Sequence, residues 1–146
     1  MACPRPPFAL TLPSDLNFLP LARAFIETVC HAHGFDRGFA EAVELATHEG
    51  LQNIIRHAHA GRDNALLEIQ AMPFDDGLEI RLLDEGEPFD VGAVPFLEPG
   101  ELRVGGRGVY LIRRLMDELQ SEPRRPCGNM LRMVKHYRPQ ARRHLA

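Results

Sequence analysis

Three stretches carry the residue types from which phosphate chemistry is built. The first is "EGLQNIIRHA" (49–58), where Glu49, Asn53 and His57 are spaced four apart. A helix turns about 100° per residue, so positions four apart are offset by about 40° and the three share a face. An Asn carbonyl is a neutral oxygen ligand suited to Mg²⁺, which keeps several waters and bridges phosphates. A carboxylate one turn away can orient or deprotonate a hydroxyl attacking a terminal phosphate. An imidazole at the helix end can contact a phosphate or favour the helix dipole. The same row also suits a solvated helix face, although Asn53 is a mediocre helix former there.

The second stretch is "LEIRLLDEGEPFD" (78–90), with Asp84 at a strand end and Gly86 two residues later. A carboxylate there can accept from a base amino group, and the glycine lets the backbone come close to a ring. An Asp-Gly-containing turn is the plainer reading. The third is "RVGGRGVYLIRRL" (103–115), with Gly105, Gly106 and Gly108 ahead of an apolar helix. A glycine-rich helix start leaves backbone N–H groups free for phosphate oxygens, and Arg103 or Arg107 adds a charge-assisted contact. A flexible loop before an ordinary helix fits as well. There is no GxxxxGK[ST], so a P-loop is excluded. "GGRGVY" does not sit in a βαβ unit, so a dinucleotide fold is unsupported.

These stretches need elements to hold them. "FALTLP" (8–13) alternates like a half-buried strand. A helix follows between Asp15 and His33, with Pro20 in its first turn and Gly34 closing it. Asp36 caps the next helix, which runs to about His59 with Phe39, Val43, Ala46, Gly50 and Ile54 on its packed face. "HAGRDN" (59–64) is a turn. Residues 65–72 and 77–84 form a hairpin, with Asp-Gly expected to supply a positive φ. Residues 85–106 are a long Gly- and Pro-rich connector. A helix over 109–119, a short strand or turn at "LQSEP" and a strand over 128–137 complete the order β-α-α-β-β-α-β-β. That order predicts an α/β (α+β) two-layer sandwich, a mainly antiparallel mixed sheet with helices on one face.

The 146 residues suit a single domain, with a core over about 8–136 and a basic tail at 138–146. The hydrophobic fraction of 45% permits a packed core, and the net charge of −3 argues against nucleic acid as a direct partner. Three scattered cysteines without a CxxC fit a reducing compartment, and no apolar run approaches a membrane span. A soluble cytoplasmic domain is expected. The two HxH pairs, His31/His33 and His57/His59, are poor zinc sites because i and i+2 point apart on a helix. Arginines 113, 114, 124, 125, 142 and 143 read as solvated faces and tail, or as a phosphate-binding patch.

E-x-x-x-N, then D-x-G, then G-x-G, in this order, resembles the GHKL (histidine kinase-like) ATPase superfamily. Over about residues 8 to 136 the chain is similar to the bacterial anti-sigma factor serine/threonine protein kinases. "HEGLQNIIRHA" resembles that family's N-box, with Glu49 matching the catalytic carboxylate, Asn53 the Mg²⁺ ligand and His57 a third polar position. "DEGEPFD" resembles the first glycine box, with Asp84 as the adenine-binding residue. "GGRGVYLIRRLMDEL" resembles the second glycine box, and "GNMLRMVK" the closing strand, whose start lies near the adenine site. Pro88 replaces the second glycine of a DxGxG pattern, a form that recurs in the anti-sigma branch. Gly50 stands where the family often has Ala, which costs up to about 1 kcal/mol of helix propensity. The resemblance implies a Bergerat-type ATP-binding fold, ATP and Mg²⁺ as cofactors, and a homodimer. It implies a sigma factor and an anti-sigma-factor antagonist as partners, the antagonist being the substrate. A binding module of the same fold without kinase activity is the alternative.

Overall fold

The computed structural model describes residues 6–58, 65–87, 90–93 and 107–139. Its elements run β1 (Phe8–Pro13), α1 (Leu19–Ala32), α2 (Arg37–Asn53), β2 (Leu66–Phe74), β3 (Gly77–Asp84), α3 (Arg107–Leu115), β4 (Glu118–Pro123) and β5 (Asn129–His136). The strands form one sheet in the order β1-β2-β3-β5-β4. Every described pairing is antiparallel, so the sheet is not mixed as expected. The crossover through α3 does produce a strand, β4, that runs parallel to β3. It lands one place out, and the tight β4–β5 turn folds β5 back between them.

One sheet face is apolar because the strands alternate. Leu67, Ile69 and Ala71 of β2, Leu78, Ile80 and Leu82 of β3, and Met133 of β5 are buried. They form one core with Ile26 of α1, Val43, Ala46 and Leu51 of α2, and Ile112 of α3. The other face carries ion pairs, in which Glu79 holds Arg81 and Arg132, and Arg132 also reaches Glu118. Such partly exposed pairs are worth about 0–1 kcal/mol each, against roughly 1.5–3 kcal/mol for each fully buried Leu or Ile. The apolar face therefore decides the layering. Among the described residues, no helix is long and apolar enough to cross a membrane.

The first helix lies within the expected bounds, 15 to 33. A 3₁₀ turn, Leu16–Phe18, precedes it, and Asp15 accepts the Asn17 N–H at 2.8 Å. Pro20 lies in the first turn of α1, and Gly34 follows the helix with φ +75°. Asp36 caps α2 by accepting the Phe39 N–H at 2.8 Å. The α-helix ends at Asn53 and continues as a π-helical turn, Ile54–Ala58, rather than running as α-helix to His59. His59 and the turn at 59–64 lie outside the described residues, as does the tail from 140.

Two further corrections concern the β2–β3 turn and the end of α3. Gly77 does not have the expected positive φ; among the described residues only Gly34 and Gly128 do. Gly77 is needed for space instead, since a Cβ there would overlap the Lys135 carbonyl and lie 2.5 Å from Phe74 Cζ. The helix expected over 109–119 ends at Leu115. Lys135 Nζ holds the Leu115 carbonyl at 2.7 Å, and the Asp117 N–H bonds Val134 O at 2.8 Å, so the chain has already joined the sheet. "LQSEP" is accordingly the body of β4.

Helices α1 and α2 enclose a cleft of about 250 Å³ whose lining includes Leu19, Ala22, Glu44, Thr47 and Leu51. Glu44 is 9% exposed, with Arg23 Nε at 3.2 Å. Burial pushes its carboxyl above the ordinary 4.5, and Arg23 only partly pulls it back. A raised folded-state value favours the protonated acid, so Glu44 is harmless below 4.5 and penalises folding once the pH has risen through the folded value. Glu44→Gln should therefore raise Tm at neutral pH, with the gain fading in acid; an equal gain at every pH would refute the burial account. Gly77→Ala should destabilise by about 2 kcal/mol in urea unfolding, because backbone rather than a flexible side chain blocks the methyl.

Candidate active site

Helix α2 directs Glu49 and Asn53, both half-buried, toward the start of α3. A Cβ placed on Gly108 would lie 3.0 Å from Asn53 Nδ2, 3.3 Å from Asn53 Oδ1 and 3.1 Å from Glu49 Oε2. Helix α3 thus meets the amide and the carboxylate with bare backbone. Val109 and Ile112, at 2% and 1% exposed, anchor it there. The first-turn N–H groups of α3 have no partner inside the helix, and its positive dipole end favours an anion. His57 lies one turn further along, past the end of the α-helix. A step of four residues is slightly less than one π turn, so His57 stays near the side of the helix that carries Asn53. His57 is exposed.

The α2 turn that carries Glu49 and Asn53 lies over the strand that carries Asp84. Between them, a Cβ on Gly50 would lie 2.7 Å from Leu82 Cδ1. Asp84 is the last residue of β3, paired with Asn129 at the start of β5, and is 2% exposed. A buried carboxylate is expensive unless hydrogen bonds replace water. Its Oδ1 accepts the Gly86 N–H at 2.8 Å and Asn129 Nδ2 at 3.3 Å. Asn129 Nδ2 also donates to the Glu87 carbonyl at 2.6 Å. The Asp84 carbonyl accepts from Arg124 Nη1 at 2.9 Å. Gly128, with φ +101°, presses so closely on that carbonyl that any Cβ would overlap it. Gly86 is buried within this turn.

Arg103, Gly105 and Gly106 lie outside the described residues, as does Pro88. Arg107 opens α3, but its side chain lies outside them too. Part of the long connector is anchored. Val91–Ala93 forms a 3₁₀ turn in which Ser121 Oγ accepts the Val91 N–H and Arg113 donates to the Val91 carbonyl, both at 2.9 Å. Arg113 and Arg124 therefore hold backbone carbonyls, where the sequence suggested solvated faces. In the sequence Arg124 stands only among arginines of a solvated face or phosphate patch, and Gly128 and Asn129 only as the start of a closing strand. The available signal was the Gly-Asn pair opening the last strand.

Residues 12–135 match the histidine kinase-like ATPase domain family. The serine-protein kinase RsbW of Listeria monocytogenes (strain HCC23) is 29% identical over 128 residues, which cover 82% of each chain. The serine-protein kinase RsbW of Bacillus subtilis is 27% identical over 119 residues, covering 76% of this chain and 74% of that one. A solved Mycobacterium tuberculosis structure of RsbU and RsbW domains superposes with a TM-score of 0.67 at 18% identity, over 94% of this chain. This chain spans about a third (34%) of that one. The histidine kinase domain of an Erythrobacter litoralis blue-light activated kinase gives 0.52, also at 18%, over 85% of this chain and 61% of that one. With the family match spanning nearly all of the sheet and helices, the chain belongs to the histidine kinase-like ATPase domain family.

Proposed function

We propose that this chain is an ATP-dependent serine/threonine protein kinase that acts as an anti-sigma factor, phosphorylating an anti-sigma-factor antagonist and sequestering a sigma factor. The observation that carries the reading is the contact of Glu49 and Asn53 with the backbone of Gly108. It joins an oxygen donor for a metal, a carboxylate and a helix N-terminus in one cradle that a single Cβ would fill. Relatives named serine-protein kinase support the choice of reaction. The donor set fits Mg²⁺ and a nucleotide, since Asn53 offers a hard neutral oxygen and α3 offers N–H groups. When bound, Mg²⁺ and ATP supply the transferable phosphoryl group and a cation that neutralises phosphate charge.

The chain's own residues have separate tasks. Asn53 would hold Mg²⁺ through its amide oxygen. Asp84 accepts from the adenine amino group, and Gly86 admits the ring beside it. Gly106 and Gly108 shape the phosphate pocket, with Arg103 or Arg107 adding positive charge and His57 a further phosphate contact. Glu49 orients the Ser/Thr hydroxyl of the antagonist and takes its proton. The protein works in the cytoplasm as a homodimer.

Labelled-ATP phosphotransfer to the cognate antagonist tests this assignment. Glu49→Gln should keep the nucleotide-induced rise in Tm but slow transfer by about 100-fold or more. Asn53→Ala should abolish the Mg²⁺-dependent part of that rise. Undiminished transfer by the Glu49 variant would remove the carboxylate from the chemistry. Nucleotide binding without transfer by the unmodified protein would leave a regulatory binding module.

A further inference from the structure

The β4–β5 turn contributes to the site without belonging to any of the three motifs. Arg124 of this turn donates from Nη1 to the Asp84 carbonyl at 2.9 Å, and its backbone N–H closes the turn on the Gly128 carbonyl, also at 2.9 Å. Gly128 packs on the same Asp84 carbonyl from the other end of the turn. Asp84 and Asn129 form the last rung of the β3–β5 ladder. Beyond that rung the sheet no longer fixes the backbone, yet the buried Asp84 carboxyl must point at a defined place. From this geometry we infer that Arg124 is a positioning residue for base recognition. Its guanidinium clamps the Asp84 carbonyl against Gly128 and so fixes the strand end from which the carboxylate reads the base.

The chemistry of Arg suits the task. It is always charged, and a hydrogen bond from a charged donor to a carbonyl is stronger than a neutral one. The clamp acts through the main chain, whereas Gly86 and Asn129 act on the side chain. The two sets control different freedoms of one residue, the location of its Cα and the rotation of its carboxyl. Arg124 would set how well a base with an amino donor fits, and leave phosphate handling to Glu49, Asn53 and α3.

The inference rests on the reading of Asp84 as the base-binding residue. The full chain should be titrated with ATP and GTP in Mg²⁺, and its kinase KM, kcat and Tm measured beside those of Arg124→Ala, Arg124→Lys and Asp84→Asn. Arg124→Ala should raise the KM for ATP about tenfold, as expected for losing one charge-assisted hydrogen bond. It should narrow the preference for ATP over GTP, with kcat changed far less than KM. Arg124→Lys should restore part of the affinity and the preference. If Arg124→Ala leaves KM and base preference as they were, or moves them only in step with a fall in Tm and kcat, the clamp is structural and the inference fails. If Asp84→Asn loses ATP while Arg124→Ala keeps it, the inference fails alone. If the unmodified protein binds no ATP, both readings fall together.

Discussion

At Gly50 four elements come within reach of one missing side chain. A Cβ there would lie 2.7 Å from Leu82 Cδ1 of β3, 3.3 Å from Leu131 Cδ2 of β5 and 4.0 Å from Ile112 Cδ1 of α3. A glycine in mid-helix costs up to about 1 kcal/mol of propensity. Here the cost is offset by how closely α2 can settle on the sheet. The flanking residue Glu49 and the next-turn residue Asn53 are then held level with the start of α3, while Leu82 carries the strand that ends in Asp84. The proposed phosphate end and base end of the site are therefore fixed by the same close approach. What looks in sequence like a weak point in a helix is where the layers are brought into register.

Much of this was legible beforehand because it depends on local rules. The alternation in residues 66–71 and 78–83, the Asp36 cap and the placement of Pro20 follow from periodicity and backbone chemistry. The motif residues Glu49, Asn53, Asp84 and Gly108 were legible as types at a spacing. What failed was long-range. The end of α3 is set by the Asp117 N–H finding Val134 across the sheet, and no window around Asp117 contains that partner. The Asp-Gly pair suggests a positive φ at Gly77, but the constraint there is the Lys135 carbonyl, 58 residues later in the chain. Arg124 and Arg113 looked like surface charge for the same reason, since their acceptors are carbonyls brought near only by the sheet and α3.

The two ends of the candidate site solve different electrostatic problems. Asp84 is buried, so most of the loss of water must be made up by fixed donors, and the Gly86 N–H and Asn129 amide are in place. Glu49 and Asn53 are only half-buried and face a helix start rather than a closed shell. The base end is thus preorganised by internal hydrogen bonds, and the phosphate end keeps polar groups accessible. This division suits a ligand with a flat, weakly polar head and a charged, solvated tail. It also explains why a single helical row was an incomplete description of the site.

The switch from α to π geometry falls immediately after Asn53. Up to that residue, the α-helical repeat is enforced by packing, since Thr47, Gly50 and Leu51 are all buried. Beyond it the buried positions thin out to Ile54, and Arg56 and His57 are exposed. A widened turn forfeits little packing there, and π turns in proteins gather at functional sites. The register that makes Glu49 and Asn53 a pair is therefore held by the core, whereas His57 sits on the exposed side of a turn that the core holds through Ile54 and Ile55. The sequence spaces all three alike, yet Glu49 and Asn53 stand half-buried on the α-helix and His57 stands exposed on the π turn.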